Sequence, residues 1–523
     1  MVLGVVLAAC AAGVDENASG KSGAAPKELR LAIGGESEDG YDPTLGWGRY
    51  GSPLFQSTLL ARDADLNIVN DLATKHSVSA DGLVWTVDIR TDAKFSDGKP
   101  VTTDDVAYTF TTAGRSGGLT DVTALAKAVA VDNDTVELHL KRPQSTFVNR
   151  LVSLGIVPKH AHGKDYARKP IGSGPFTFVQ WDEGQQLIVQ RNENYYGTEP
   201  VFERVVFTFT SEDASLAAAK AGQASMAAVP SSLAKTTVSG MKVVPVKSVD
   251  NRGVMFPYVA DTGKKTAEGL PIGNNVTSDK AIRQAINQAV DRQALVDGVL
   301  EGFGSPATGP VDGLPWYEPS SAINGNDPSK AKQLLDAAGW RDNGGVREKA
   351  GVKAAFTLLY PADDTIRQGL ALSVADMVKP IGIQITAKGV SWDVIDKRLH
   401  ADAVLFGWGS HDPTEMYNLY SSTQAGIEYW NTGYYSNPIV QENLETALSA
   451  TDQAEATKYW KAAQHDADGN GFGPSADAAW AWLVNLQHTY FVSDCLDIGK
   501  PQIEPHGHGW PITAGITGWR WTC

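Results

Sequence analysis

Leu83 to Ile89 (L-V-W-T-V-D-I) alternates apolar and polar residues, and soon afterwards the chain reaches Thr102-Thr103-Asp104-Asp105, then Val106, Ala107 and Phe110. The first pattern has a period of two and predicts a half-buried strand. The second predicts a helix capped by Thr102 or Thr103, with two carboxylates facing the unpaired amides and the positive end of the helix dipole. Asp81-Gly82 and Ser96-Asp97-Gly98 punctuate the stretch as turns, and Gly98 is free to take a positive φ. A strand and a helix this close together constrain the segment to α/β packing.

The same alternation of elements recurs along the chain. Leu29 to Gly35 opens as a strand, and residues 131–140 read as another with Asn133-Asp134 at its turn. Val205 to Thr210 predicts a strand and Ala214 to Gly222 a helix ending in glycine. Asp279 to Leu300 carries Ala281, Ile282, Ala285, Ile286, Ala289 and Val290 on one face and predicts one long helix. Asp327-Pro328 is a capped helix start with proline at the first position. Ala354 to Tyr360 and Ile383 to Ala387 are strands around a helix over 365–378, a βαβ unit. A chain of 523 residues is too long for one core, so two or three lobes are expected. The net charge of -15, with no basic run to set against it, excludes nucleic acid and an anionic membrane face as partners.

Enzyme motifs are missing. Ile171-Gly172-Ser173-Gly174 invites a phosphate-loop reading, but Pro175 and a strand follow where a helix N-terminus would be required. Ser410-His411-Asp412 holds the three residue types of a catalytic triad, yet consecutive residues cannot line up as a proton relay. No G-x-S-x-G, H-E-x-x-H or Walker loop occurs.

As strings, several segments resemble the peptide- and nickel-type (family 5) extracytoplasmic solute-binding proteins of bacterial ABC importers. Arg90 to Phe110 resembles their signature region, and Ile171 to Phe176 their G-T-G-P-[FY] element. Arg191-Asn192-Glu193-Asn194-Tyr195-Tyr196 is similar to their R-N-x-x-Y-[WY] turn, and Asp279 to Arg292 to their V-R-x-A-I-x-x-A-[IV]-D-R segment. Tyr41-Asp42-Pro43 followed by Leu54 to Leu60 resembles a D-P turn and a helix running into L-L. The matches keep one order over about residues 29 to 490.

The resemblance implies a type II periplasmic-binding-protein-like α/β fold, with two lobes, an extra subdomain, a hinge and a ligand cleft between the lobes. Lobe I would hold 29–268, including a subdomain at about 70–170, and would regain 488–523; lobe II would hold 269–487. The implied function is capture of a di- or oligopeptide and delivery to a permease and its ATPase, by a monomer without cofactor or catalysis. The alternative within the family is a nickel, other transition-metal or metal-chelate ligand, and the remote alternative outside it is a hydrolase. Leu7-Ala8-Ala9-Cys10 looks like a lipobox, with Cys10 carrying lipid at the outer face of the membrane and 11–27 a tether. No Lys or Arg precedes its short apolar run, which fits a Met1 lying inside a longer signal. Cys495 and Cys523 stand either as a disulfide that pins the C-terminus or as two free thiols.

The expected ligand loop is Ala403 to Ser421, where a buried strand delivers Trp408, Gly409, Ser410, His411 and Asp412 at its C-terminal end. In peptide binders of the family this loop carries an aspartate for the peptide amine; here Asp412 either takes that role or is the structural Asp-Pro turn residue. Tyr41, Trp47, Tyr417, Tyr429 and Trp430 are the further aromatics expected near the cleft, and Arg115 lies where nickel-complex binders place an arginine. For the metal alternative the candidates are His411 with His506 and His508. His160-Ala161-His162 is a second i, i+2 pair, and on a strand such pairs face one side.

Overall fold

The computed structural model describes residues 27–523 apart from 38, 117, 119 and 508. Cys10, the tether and His508 therefore lie outside the described residues. The chain folds as two α/β lobes on an eleven-stranded mixed sheet. On one side Glu28–Ala32 pairs parallel with Arg204–Thr208 and Met226–Val229. On the other, Ala355–Pro361 pairs parallel with both Gln384–Val390 and Ala403–Trp408.

Two long antiparallel strands, Met241–Met255 and Trp480–Ser493, run through both halves. Their pairing breaks midway. Lys247 stands opposite Gln487 and Asn251 opposite Asn485, so 248–250 bulge out against Leu486. A bulge of this kind bends and twists the strand locally. It falls where the sheet passes from one lobe to the other.

The buried apolar residues form separate groups. Leu29, Leu31, Tyr41, Phe207 and Trp510 belong to one, and Val87, Phe110, Leu138 and Leu151 to a second built on a four-stranded sheet. The faces around 403–408 hold two more, with Ile286, Leu370 and Leu405 in one and Phe406, Tyr420 and Trp460 in the other. Each fully buried Leu or Phe in such a group contributes about 1.5–3 kcal/mol.

The strand at Val84–Ile89 shows the expected alternation of burial, and the helix is Thr103–Ser116 with Asp104 and Asp105 in its first turn. Asp105 also accepts from the Thr102 amide at 2.9 Å, which closes the cap. Three expectations need correction. Residues 54–60 are not helical: Leu54 has φ +63, and the segment lies along the glycine-rich 171–175 run. Gly174 N–H donates to the Phe55 carbonyl at 2.8 Å, and a Cβ at Gly172 would sit 2.0 Å from that carbonyl oxygen. Close backbone approach, not a phosphate, is what those glycines serve. The long helix at 279–300 is two helices, Lys280–Ala289 and Arg292–Gly298, because Asp291 caps a new start by accepting from Ala294 N at 2.9 Å. His160 and His162 lie in a turn region, not on a strand.

Candidate functional site

Ala403–Trp408 sits between Met241–Met255 and Ala355–Pro361, buried up to Gly407, and carries the following loop to the C-terminal edge of its sheet. Gly409 turns the chain with φ +150, where a Cβ would meet the Val249 carbonyl oxygen at 2.3 Å. Its N–H donates to Glu415 at 3.1 Å and its carbonyl accepts from the His506 amide at 2.8 Å. Burial pushes the Glu415 carboxyl up to about 8 although the Gly409 amide opposes it, and its Oε1 has no partner among the described residues.

Ser410 Oγ accepts from the Asp412 amide at 3.1 Å. His411 is buried, its carbonyl accepts from Arg62 at 3.1 Å, and its Nε2 has no partner among the described residues. Burial, helped by the Arg62 charge, lowers its imidazole to about 3, so the ring is neutral. Asp412 pairs with Arg150 at 2.6 Å and accepts from Thr414 N at 2.9 Å. Its carboxylate is thus engaged in the turn and in an ion pair.

Trp408 is half-buried with ring centroid 4.8 Å from that of Trp430. Tyr429 is exposed and its hydroxyl donates to Asp396 at 3.0 Å. Two other aromatics are enclosed. Tyr41 is fully buried among Trp47, Phe55, Trp181 and Trp510, so it is core. Tyr417 is buried with its hydroxyl 3.0 Å from Thr423 Oγ1. Arg115 is on the exposed last turn of its helix, whose end abuts Thr44 and Leu45.

A cleft of about 180 Å³ opens on the lobe I side, lined by 35–37, 45–52 and Trp510 among others. The wall 46–54 is a loop of left-handed residues: Gly46, Gly48, Gly51, Ser52 and Leu54 all have positive φ. It is held from beneath. Asp42 accepts from Thr44 N at 2.9 Å and from His162 Nε2 at 2.8 Å, while Tyr108 hydroxyl lies 3.0 Å from His162 Nδ1. Trp47 Nε1 donates to Pro53 O at 2.7 Å. Glu36 accepts from Trp181 Nε1 and Gly184 N, both at 2.8 Å. Burial raises the Tyr50 hydroxyl pKa, Arg49 opposes, and the Glu415 and Asp250 carboxylates raise it further. Of this wall only Trp47 was among the residues expected near the cleft; the rest carried the signal of three glycines at 46, 48 and 51.

Behind the loop, at the bulge, lies a buried charge cluster. Asp250 pairs with Arg252, with His506 Nδ1 at 2.6 Å and with His488 Nε2 at 3.1 Å, while His488 Nδ1 meets Glu504 at 2.5 Å. Burial alone would raise the Asp250 carboxyl, but Arg252 and the two histidines hold it well below the usual range. His160 pairs instead with Asp97 at 2.7 Å. Among the described residues no group of three or more His, Cys, Asp or Glu is arranged to hold a metal. The metal alternative's histidines are thus individually placed: His411 in the loop, His506 on Asp250.

Cys495 and Cys523 are joined by a disulfide beside the short pairing of Leu496–Asp497 with Arg520–Trp521. No helix among the described residues is long and apolar enough to cross a membrane.

Comparison with known proteins places this geometry. Residues 67–430 match the model of the bacterial extracellular solute-binding proteins, family 5 Middle. Protein XP55 of Streptomyces lividans is 35% identical over 494 residues, 91% of this chain and 86% of the relative. Oligopeptide-binding protein AppA of Bacillus subtilis is 29% identical over 500 residues, 88% of each chain. Among solved structures, NikZ from Campylobacter jejuni in complex with Ni(L-His) superposes with TM-score 0.79 at 23% identity, covering 94% of this chain and 99% of the other. AppA from Bacillus subtilis in complex with a nonapeptide gives 0.74 at 24% identity, covering 95% and 99%. The two-lobed sheet, the cleft at its strand ends and these matches lead to one conclusion: the chain belongs to the bacterial extracellular solute-binding proteins, family 5.

Proposed function

We propose that this chain is the ligand-capturing component of an ABC importer, that it holds a small peptide between its lobes, and that it hands the peptide to a membrane permease. The observation that carries the peptide reading is the likeness to an oligopeptide-binding protein over 88% of both chains. The cleft supports it. Its lining includes Gly35, Gly46, Gly48 and Gly51, which have no side chain to stand between a ligand and the main chain, and main-chain groups suit a ligand made of peptide units. Trp408 and Trp430, with ring centroids 4.8 Å apart at the end of the strand Ala403–Trp408, would supply the aromatic surface of the other wall. A ligand touching both walls favours the closed form, and that form would dock on the permease.

In this reading lobe I comprises about 29–268 and 488–523, and lobe II about 269–487, with the bulge at 248–250 as the pivot. Cys10 carries the lipid anchor, the protein is a monomer at the outer face of the membrane, and it catalyses nothing. Native mass spectrometry of the purified protein, before and after mild denaturation and with metal analysis, tests the ligand. A spread of small peptide masses released on denaturation is expected. One metal per chain, alone or with a single small chelator, would overturn the peptide reading in favour of a metal complex, and His411 and the histidine pairs His160/His162 and His506/His508 would become the first residues to mutate.

A further inference from the structure

We propose that Arg150 and Asp412 are the latch of the cleft: a buried ion pair that sets the register in which the subdomain meets the ligand loop. The proposal rests on the binding-protein reading for its purpose, and on the following contacts for its existence.

Arg150 belongs to the helix Val148–Ser153, packed in the core of the four-stranded subdomain, whereas Asp412 follows the strand Ala403–Trp408 in the other lobe. Their side chains are only 11% and 13% exposed, and Arg150 Nη2 lies 2.6 Å from Asp412 Oδ2. Around them the same two surfaces meet repeatedly. Arg62 donates to the His411 carbonyl at 3.1 Å, and Thr414 Oγ1 donates to Thr146 Oγ1 at 2.8 Å. Ser145 donates through its amide to Leu448 O and through its hydroxyl to Ala447 O, both at 2.8 Å. The Thr414 and Ser145 hydrogen bonds are neutral and are exchanged for water when the surfaces part. The ion pair behaves differently.

Apart, both charges are hydrated; together, each is buried and tolerable only opposite its partner. The pair therefore adds little to the free energy of closure but makes every other register costly. Removing one partner penalises the closed arrangement, because closing then buries a lone charge. Removing both lifts the penalty. That sign pattern separates a latch from a residue that merely supports its own lobe, whose losses would add.

The test uses the full chain with no ligand added. Hydrogen exchange over 145–150 and 409–414 and the radius of gyration by small-angle scattering are compared for the parental protein, R150M, D412N and R150M/D412N. Asn keeps the oxygen that accepts from Thr414 N. R150M is expected to speed exchange in both segments at least about tenfold and to enlarge the molecule, while the subdomain strands keep their protection. The double variant is expected to return toward the parental values. An R150M protein indistinguishable from the parent, or a double variant at least as open as R150M, overturns the proposal. Absence of any small ligand in the mass-spectrometric experiment would sink the binding reading and leave the contact itself standing.

Discussion

Nε2 of His488 lies 3.1 Å from Oδ2 of Asp250, across the point where the two long strands lose register. The other ring nitrogen meets Glu504 at 2.5 Å, so the imidazole is held as a cation between two carboxylates. Burial opposes this, but the hydrogen bonds to Asp250 and Glu504 prevail and raise its pKa to about 10. A histidine whose folded pKa is raised gives its full stabilisation below its unfolded pKa of about 6.5, and loses it as pH climbs to the folded value. Stability should therefore fall between about pH 6.5 and 10. His488→Gln, read by urea unfolding, is expected to cost about 3 kcal/mol at pH 6 and to flatten that slope.

Glu415 should act in the neighbouring window. Its folded pKa of about 8 lies above that of an unfolded glutamate, so the folded state keeps a proton that the unfolded state has released. That difference erodes stability as pH rises from about 4.5 to 8. Glu415→Gln keeps an acceptor for the Gly409 amide and removes the buried charge. Thermal melts should show the variant more stable than the parent by about 1 kcal/mol or more at pH 8, and equal to it at pH 4.

How much of this was legible beforehand depends on the length of the pattern that carried it. Val84–Ile89, Thr103–Ser116 and the βαβ unit through Thr365–Val378 were readable because period and caps are local. The strand delivering Trp408 was readable for the same reason. Partnership across the chain was not. Nothing near Asp412 announces Arg150, and nothing near Tyr41 announces Trp510, since each pairing exists only once the lobes are assembled. The D-P turn carried its own signal, but the segment 54–60 was misread because its backbone partner lies at 171–174.

Gly409 offers a stringent test of the loop. A Cβ there would press on the Val249 carbonyl oxygen at 2.3 Å, and the residue's φ of +150 is strained for any L side chain. Gly409→Ala is expected to destabilise by roughly 2 kcal/mol or more and to shift the loop that carries Trp408. Tryptophan fluorescence and a melt on the same sample check both. An unchanged spectrum would show that the loop tolerates the extra atom.

The disulfide should matter most to the returning C-terminus. Cys495 and Cys523 are 28 residues apart, and a loop of that size implies about 3–4 kcal/mol by chain entropy. Cys495→Ala/Cys523→Ala, or reduction of the parent, is expected to lower Tm. Exchange should rise first at Leu496–Asp497 and Arg520–Trp521, which pair beside the bond.

The strand Met226–Val229 is flanked by Leu31-Ala32 on one side and by residues 489–492 on the other, and Trp510 stacks on Phe207 at 4.2 Å. One core is thus assembled from the first and the last stretches of the described chain. While the protein is being synthesised from its N-terminus, that core lacks its final strand and its capping tryptophan. That core stays incomplete until the last residues emerge, and its closure then joins segments several hundred positions apart, which makes it a slow step.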